Sequence, residues 1–314
     1  MTGAILMPDA IGKVQRLSRV DDLTVVVKSF RRPYLLGLCL ESLARFWPRD
    51  HARYFIVIAD DGSDAATIDA IEAEFYSRGL YDYFVGNPRG TGKWALAREG
   101  RFSEVAHTCG ETWNAAMSIV GTEYVFVIED DCRLLTPSDP RWNIDLLRRR
   151  PDVLCAIGLR QRVELEARGF GTPAGEEPGH RLYTHASWPW SFDSIFFRRS
   201  DWARLGPWPT GISTGAMEDW LTGRLRATGL IDRPYAVTTE PMSAIDEQTR
   251  VRVDRPDLGA GAPPWRVYRQ ADACLRAWME GRWRPTLDDA IEMGRVVYPE
   301  GLRPEDWQAG RAEA

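Results

Sequence analysis

The chain has 314 residues, 44% of them hydrophobic and 27% charged, which is the composition of a folded globular protein long enough to bury a sizeable core. Its formal net charge of −5 excludes the overall basic excess with which a non-specific nucleic-acid binder holds phosphates. The five cysteines are scattered and form no CxxC pair, so the sequence predicts neither a disulfide framework nor a zinc ribbon.

The scattered cysteines predict a reducing cytoplasm, and the hydropathy pattern predicts neither secretion nor a membrane span. No basic region precedes the short apolar patch near the N-terminus, as it would in a signal peptide. No run of about 18 apolar residues occurs anywhere in the sequence.

The first half of the chain alternates predicted strands and helices. Apolar, β-branched runs predict strands at Leu23–Lys28, Tyr54–Ala59, about 81–85 and Tyr124–Ile128. Helical spacing predicts helices at 33–46, through Ile68, Ile71 and Phe75, and at about 103–120. This alternation predicts an α/β fold with a mainly parallel sheet, whose ligand site lies at the carboxyl ends of the strands.

The second half has a looser pattern. It predicts a helix near 141–150, a strand near 153–159, a helix from Met217 to Gly229 and C-terminal helices near 265–280 and 286–296. The Gly- and Pro-rich stretch at 168–181 predicts a mobile loop without regular structure.

Three acidic residues, Glu129, Asp130 and Asp131, directly follow the strand that ends at Ile128. Carboxylates at the end of such a strand face the ligand crevice of an open α/β sheet. One or two carboxylates are enough to bind Mg²⁺ or Mn²⁺, because water and substrate phosphates supply the remaining ligands. The triplet therefore predicts a divalent-cation site, with an acidic turn as the alternative.

Two further acidic elements can each have either a ligand-binding or catalytic role or a purely structural one. Asp60 and Asp61 precede Gly62 after the second strand, so that a carboxylate there can bind a base or ribose, or form an Asx turn. Glu218 and Asp219 lie near the start of a helix, where a carboxylate serves as a general base or stabilises the helix dipole.

Two remaining sequence patterns do not indicate a catalytic role. The segment 90–93 (GTGK) lacks the first glycine and the Ser/Thr of a Walker phosphate loop, so we expect a structural or donor-covering role for it. Lysine occurs only at positions 13, 28 and 93, among basic residues that are otherwise arginine, a bias that we attribute to GC-rich coding.

The order of these elements resembles the metal-dependent nucleotide-sugar glycosyltransferases of the GT-A (Rossmann-like) fold, especially family 2. The matching segments are TVVVKSFRRPYLLGLCLESL, FIVIADDGSD, GETWNAAMSIVGTEYVFVIEDD and FRRSDWARLGPW followed by MEDW, within about residues 22–238. The EDD triplet and the acid-acid-Trp element also resemble inverting enzymes of the N-acetylglucosaminyltransferase I type. The resemblance implies a tail at 1–21, a nucleotide-sugar-binding half at 22–135, an acceptor-binding half at 136–240 and a C-terminal helical extension at 241–314.

The resemblance also implies roles for individual residues. Donor-binding positions would be Ser29, Arg31, Asp60, Asp61 and Asp130, with Asp61 at the base and Asp130 at the sugar or ribose. The Mn²⁺ or Mg²⁺ cofactor would be held by Asp131 with help from Glu129. The general base would be Asp219, with Glu218 beside it. Trp188, Trp190 and Trp220 lie on the expected acceptor side, where each could stack on a sugar or pack in the core.

These implications predict an inverting, metal-dependent glycosyltransferase that moves a sugar, with a UDP-sugar favoured as donor, to a hydroxyl group of a saccharide or another soluble acceptor. One alternative is a phage-type DNA glycosyltransferase acting on hydroxymethylated bases. The others are a nucleotidyltransferase and a non-catalytic sugar-binding module.

Overall fold

The computed structural model describes residues 5–6, 23–47, 54–99, 101, 107–134, 136–157, 171–184, 194–212, 214–238, 265–293, 296–300 and 302. In this part of the chain the strands are β1 (Ile5–Leu6), β2 (Leu23–Ser29), β3 (Tyr54–Asp60), β4 (Tyr83–Gly86), β5 (Tyr124–Glu129), β6 (Cys155–Ile157), β7 (Thr172–Glu177), β8 (His180–Thr184), β9 (Ile195–Arg198) and β10 (Tyr235–Thr238). The helices are α1 (Pro33–Phe46), α2 (Ala65–Ile71, continued by a π-helical turn at Glu72–Tyr76), α3 (Lys93–Arg98), α4 (Cys109–Ile119), α5 (Arg141–Arg149), α6 (Arg199–Leu205), α7 (Thr214–Ala227), α8 (Trp265–Met279) and α9 (Leu287–Glu292).

The strands of the described chain form one sheet in the order β1-β4-β3-β2-β5-β9-β6-β10-β8-β7. Strands β4, β3, β2 and β5 run parallel, and β9 lies antiparallel between β5 and β6. The predicted α/β class with a mainly parallel central sheet is therefore confirmed. Parallel neighbours also bring the carboxyl ends of β2, β3 and β5 to one edge of the sheet.

The central strands are buried on both faces, which explains their continuous apolar sequences. Val25 and Val27 of β2 pack in the cluster that includes α1, whereas Val26 packs in the opposite cluster with α4. The same alternation occurs in β5, where Phe126 and Val127 face opposite clusters. Side chains alternate across a strand, so both faces of the sheet need a helical cover.

The C-terminal helices contribute to the first of these clusters. Cys274 and Trp278 of α8 and Leu287 of α9 are buried together with residues of α1. The Trp278 and Phe75 rings lie 6.0 Å apart between their centroids. The helical part of the predicted extension at 241–314 therefore packs on the sheet domain, while the boundary at 241 stays a prediction.

The prediction that glycine and proline prevent regular structure at 168–181 is wrong for residues 172–181. These residues form β7 and the start of β8, paired as an antiparallel hairpin with a bulge near Gly175. Strand β7 is at the edge of the sheet, where proline and glycine are tolerated because one side of the strand needs no ladder hydrogen bonds. Residues 168–170 lie outside the described residues.

Smaller differences concern element boundaries. Two residues of the predicted tail, Ile5 and Leu6, form β1 and pair with Gly86 and Val85. The helix expected from about residue 103 begins at Cys109, with 102–106 outside the described residues. No helix among the described residues is long and apolar enough to cross a membrane.

Candidate functional site

A cavity of about 180 Å³ opens at the carboxyl edge of the sheet. In the register of the strands, Ser29 lies opposite Asp60, and Lys28 lies opposite Glu129. The cavity is lined by Lys28, Ser29, Phe30, Arg32, Ala59, Asp61, Cys109, Thr112, Trp113 and Glu129. Two of the three predicted acidic elements, those after β3 and β5, therefore contribute to one site.

Asp60 organises the turn after β3. Its carboxylate accepts hydrogen bonds from the backbone N–H groups of Gly62 (3.0 Å) and Ser63 (2.6 Å) and from the Ser63 hydroxyl (2.8 Å). The side chain is fully buried, and this burial raises the pKa of Asp60 to about 6 in spite of those donors. Both carboxylate oxygens of this predicted donor-binding residue are thus used within the turn.

Asp61, the next residue, borders the cavity. Its Oδ1 accepts hydrogen bonds from the hydroxyls of Thr108 (2.7 Å) and Thr112 (2.8 Å), which lie at the start of α4. Its Oδ2 accepts one from Lys93, whose ammonium also lies 4.3 Å from the centroid of the Phe30 ring. The segment around residue 93 therefore contacts Asp61, and its structural or donor-covering role stays a prediction.

The acidic triplet after β5 is paired with basic side chains. Glu129 accepts a hydrogen bond from Lys28 at 2.5 Å, and its side chain is 32% exposed. Asp130 is buried; its Oδ1 pairs with Arg32, and its Oδ2 accepts hydrogen bonds from the Ser29 hydroxyl (3.1 Å) and a backbone N–H at position 30 (3.4 Å). Asp131 Oδ2 accepts a second hydrogen bond from Arg32, at 3.0 Å.

Arg32 is the cation that pairs with both Asp130 and Asp131. Burial lowers its pKa, but Asp130 and Asp131 raise it by more, so the guanidinium stays protonated. Burial raises the pKa of Asp130, whereas the adjacent guanidinium lowers it and Asp131 raises it. Two carboxylates therefore converge on one cationic group that also lines the cavity.

The chemistry of this donor set fits a divalent cation. Carboxylate oxygens are the ligands that Mg²⁺ and Mn²⁺ prefer, and one or two suffice when water and phosphate supply the rest. Asp130 and Asp131 already hold a positive group together. Within the described residues, however, no three His, Cys, Asp or Glu side chains are grouped to hold a metal ion.

Arg31 has different contacts from its neighbour. Its backbone has a φ of +56°, and its guanidinium pairs with Asp64 (2.6 Å) and with Asp272 of α8 (3.4 Å). It is not among the residues that line the cavity. Arg31 therefore joins the turn after β2 to α8. A role of Arg31 in donor binding stays a prediction.

The predicted acceptor side is described only in part. Asp219 is exposed on α7, and Trp220 packs against Trp208 at a centroid distance of 5.2 Å. Neither lines the cavity. Trp188 and Trp190 lie outside the described residues, as does the side chain of Glu218.

The sequence predicts no role for four basic and hydroxyl side chains of the site, Lys28, Arg32, Thr108 and Thr112, and it includes Lys93 only as part of the segment 90–93. The rarity of lysine is a usable signal: of the three lysines in the chain, the two described ones both pair with site carboxylates. Coding bias alone does not account for that placement. The threonines give no signal, because hydroxyl residues at the start of a helix are common caps.

Comparisons with known proteins give similarity of fold only. No protein-family model and no curated protein matches the chain. Among solved structures, TarS residues 1–349 from S. aureus is 14% identical with a TM-score of 0.43, over 83% of this chain and 73% of that chain. The mannosyltransferase PcManGT from Pyrobaculum calidifontis, in complex with GDP-Man and Mn²⁺, is 16% identical with a TM-score of 0.46, over 90% of this chain and 81% of that chain. A CMP:2-keto-3-deoxy-manno-octonic acid synthetase complexed with CTP is 12% identical with a TM-score of 0.41, over 76% of this chain and 98% of that chain.

Proposed function

We propose that this protein is a GT-A-type glycosyltransferase that transfers a sugar from a nucleoside diphosphate donor to a hydroxyl group. The observation that carries the proposal is the cavity at the carboxyl edge of β2, β3 and β5, where acidic and basic side chains meet. Ligands of open α/β sheets bind at this edge. The motif order that resembles GT-A glycosyltransferases supports the same function.

In this proposal Asp61 recognises the base of the donor. A carboxylate has about four acceptor sites, and three donors occupy Asp61: Thr108, Thr112 and Lys93. The remaining site suits a base N–H group such as the imide of uracil, and we favour a UDP-sugar because of the resemblance to GT-A glycosyltransferases. Phe30 borders the same cavity and offers an aromatic surface to a planar ring.

The donor diphosphate lies next to Lys28 and Arg32 in this proposal, because both line the cavity and carry positive charge. A divalent cation, when bound, supplies further charge to neutralise the leaving diphosphate. Asp131 and Glu129 are the residues that would hold it. Asp130, which accepts three hydrogen bonds, orients Ser29 and Arg32.

Inversion requires a base on the acceptor side, and we assign that role to Asp219. Its exposure leaves the carboxylate able to accept the proton of an acceptor hydroxyl. Glu218 supports it, and Trp188 and Trp190 bind the acceptor. The acceptor is a saccharide or another small hydroxyl compound, and hydroxymethylated DNA is the alternative.

A transfer assay tests the proposal. Sugar-labelled UDP-, GDP- and dTDP-sugars are incubated with Mn²⁺ and with saccharides, small hydroxyl compounds or hydroxymethylated DNA, and both labelled product and free nucleoside diphosphate are measured. We expect transfer from one donor, and a loss of about 10² to 10⁴ in turnover for Asp219→Asn. Asp232→Asn, which changes another described aspartate outside the cavity, is the matched control.

Two results would contradict the proposal. One is the absence of nucleoside diphosphate release with every donor and acceptor. The other is pyrophosphate release from a nucleoside triphosphate and a sugar phosphate, which indicates a nucleotidyltransferase. Full turnover in Asp219→Asn would reject the base assignment alone.

A further inference from the structure

The Arg32 guanidinium occupies the place where two carboxylates of the acidic triplet converge. One of its terminal nitrogens pairs with Asp130, and the other donates to Asp131 at 3.0 Å. The carboxylates are 0% and 3% exposed, and the Arg32 side chain is 15% exposed. The planar fork of arginine is preorganised for such a double contact, which two separate terminal nitrogens make, whereas lysine has a single nitrogen.

A divalent cation and Arg32 therefore compete for the same oxygen atoms. A metal ion on Asp131 would share that carboxylate with the guanidinium, which already donates a hydrogen bond to Oδ2. A metal ion next to an unmoved guanidinium would also be repelled, since like charges about 4 Å apart interact strongly in a partly buried site. Arg32 thus opposes the binding of a metal ion to the chain without its donor.

Arg32 has an alternative partner on its other side. It lines the cavity into which the proposed function places the diphosphate, and guanidinium groups bind phosphate oxygens in a bidentate manner. Asp130 does not lose all its partners when Arg32 moves, because its Oδ2 keeps the Ser29 hydroxyl and a backbone N–H. The exchange therefore does not leave the buried Asp130 carboxylate without a hydrogen bond.

We propose that Arg32 couples the two ligands of the site: it leaves Asp131 for the diphosphate of the donor, and the divalent cation takes its place on that carboxylate. This inference rests on the proposed function. Each ligand then raises the affinity of the other by the same factor, as linkage requires. Lys28 pairs with Glu129, so the proposal for Arg32 concerns the Asp131 side of the site alone.

Titration of the full chain with Mn²⁺ tests the coupling without any measurement of turnover. Bound Mn²⁺ is followed by electron paramagnetic resonance with and without UDP, and the affinity of Mn²⁺ for UDP in solution is subtracted. We expect UDP to raise the Mn²⁺ affinity of the wild-type chain about tenfold or more. In Arg32→Gln, Mn²⁺ alone should bind more tightly than to the wild type, and UDP should raise the Mn²⁺ affinity by a smaller factor than in the wild type, because the part of the coupling that Arg32 carries is lost.

Two further variants keep the test decisive. Arg45→Gln removes an exposed arginine of α1 that pairs with Asp288, and it should keep the wild-type coupling. Arg32→Lys keeps the charge but loses the fork, and it should bind Mn²⁺ alone more tightly than the wild type even if Arg32→Gln does not fold. The proposal would be overturned if neither UDP nor pyrophosphate changed the Mn²⁺ affinity of the wild-type chain. It would also be overturned if a folded Arg32 variant kept the wild-type coupling.

Inorganic pyrophosphate separates failure of this inference from failure of the proposed function. If pyrophosphate raises the Mn²⁺ affinity and UDP does not bind, the coupling through Arg32 stands and the nucleotide assignment fails. If UDP binds but neither anion changes the Mn²⁺ affinity, the nucleotide assignment stands and the coupling is wrong.

Discussion

Arg31 and Arg32 are adjacent arginines in the sequence, but they have different partners in the structure. The positive φ of Arg31 turns the chain, so that its side chain pairs with Asp64 and Asp272 while the next one pairs with Asp130 and Asp131. The resemblance implies Arg31 as a donor-binding residue, and nothing in the local sequence pattern distinguishes the two adjacent arginines. The distinction depends on Asp272, which lies 241 positions away along the chain.

Asp60 should make stability depend on pH. Burial raises its pKa from 3.8 to about 6, so the folded state holds this proton more tightly than the unfolded state does. The free energy of unfolding should therefore be highest below about pH 4 as far as this group is concerned, and should fall by about 3 kcal/mol as pH rises through about 6. Urea unfolding of the wild type and Asp60→Asn between about pH 4 and 7 measures the difference.

The comparison isolates Asp60 because the other titrating groups are shared by both proteins. The asparagine of the variant keeps an oxygen that can accept from the two backbone N–H groups of the turn. Asp69→Asn, at an exposed position of α2, should have the pH dependence of the wild type. Parallel pH profiles for the wild type and Asp60→Asn would show that burial does not perturb this carboxyl group.

At the level of elements, the turn after β3 is held against the 3₁₀ turn at Pro88–Gly90 by close backbone contact. Gly62 has a φ of +112°, and a Cβ atom there would lie 2.2 Å from the carbonyl carbon of Gly90. Neither backbone can move aside as a flexible side chain can. Gly62→Ala should therefore lower the free energy of unfolding by about 3 kcal/mol or more, through both the φ strain and the clash.

Gly79→Ala is the matched control for this change. Gly79 also has a positive φ, of +66°, but a Cβ atom there would meet nothing within 4 Å. Its loss should be limited to the conformational cost of about 1 kcal/mol. Denaturant unfolding of both variants gives the comparison, and equal losses would mean that the approach of the two turns is not tight.

Whether a strand is recognisable in the sequence depends on how far its two faces are buried. The runs at β2 and β5 are recognisable because both faces are buried and nearly every position is apolar. The hairpin of β7 and β8 is missed because β7 is exposed along most of its length and carries Gly and Pro. This edge strand is stabilised by its pairing with β8. The hydropathy pattern of β7 itself does not predict that pairing.

At the scale of the whole molecule, the candidate site is assembled from segments far apart in sequence. Strands β2 and β5 supply Ser29 and Glu129, the turn after β3 supplies Asp61, and the start of α4 supplies Thr112. The acidic members are predictable, since the carboxyl ends of parallel strands meet at one edge. The basic members are not, because their partners lie far away along the chain: the sheet register places Lys28 opposite Glu129, and the fold brings Lys93 to Asp61.

Calorimetric titration with UDP in the presence of Mn²⁺ tests whether the carboxyl edge of this sheet binds a nucleoside diphosphate through Asp61. We expect the wild-type chain to bind UDP, and Asp61→Ala to weaken binding about tenfold or more, because Asp61 is the cavity residue assigned to the base. Asp69→Ala, at the exposed position of α2, should bind as the wild type does. No binding of UDP, GDP or dTDP to the wild type, or unchanged affinity in a folded Asp61→Ala, would contradict the account.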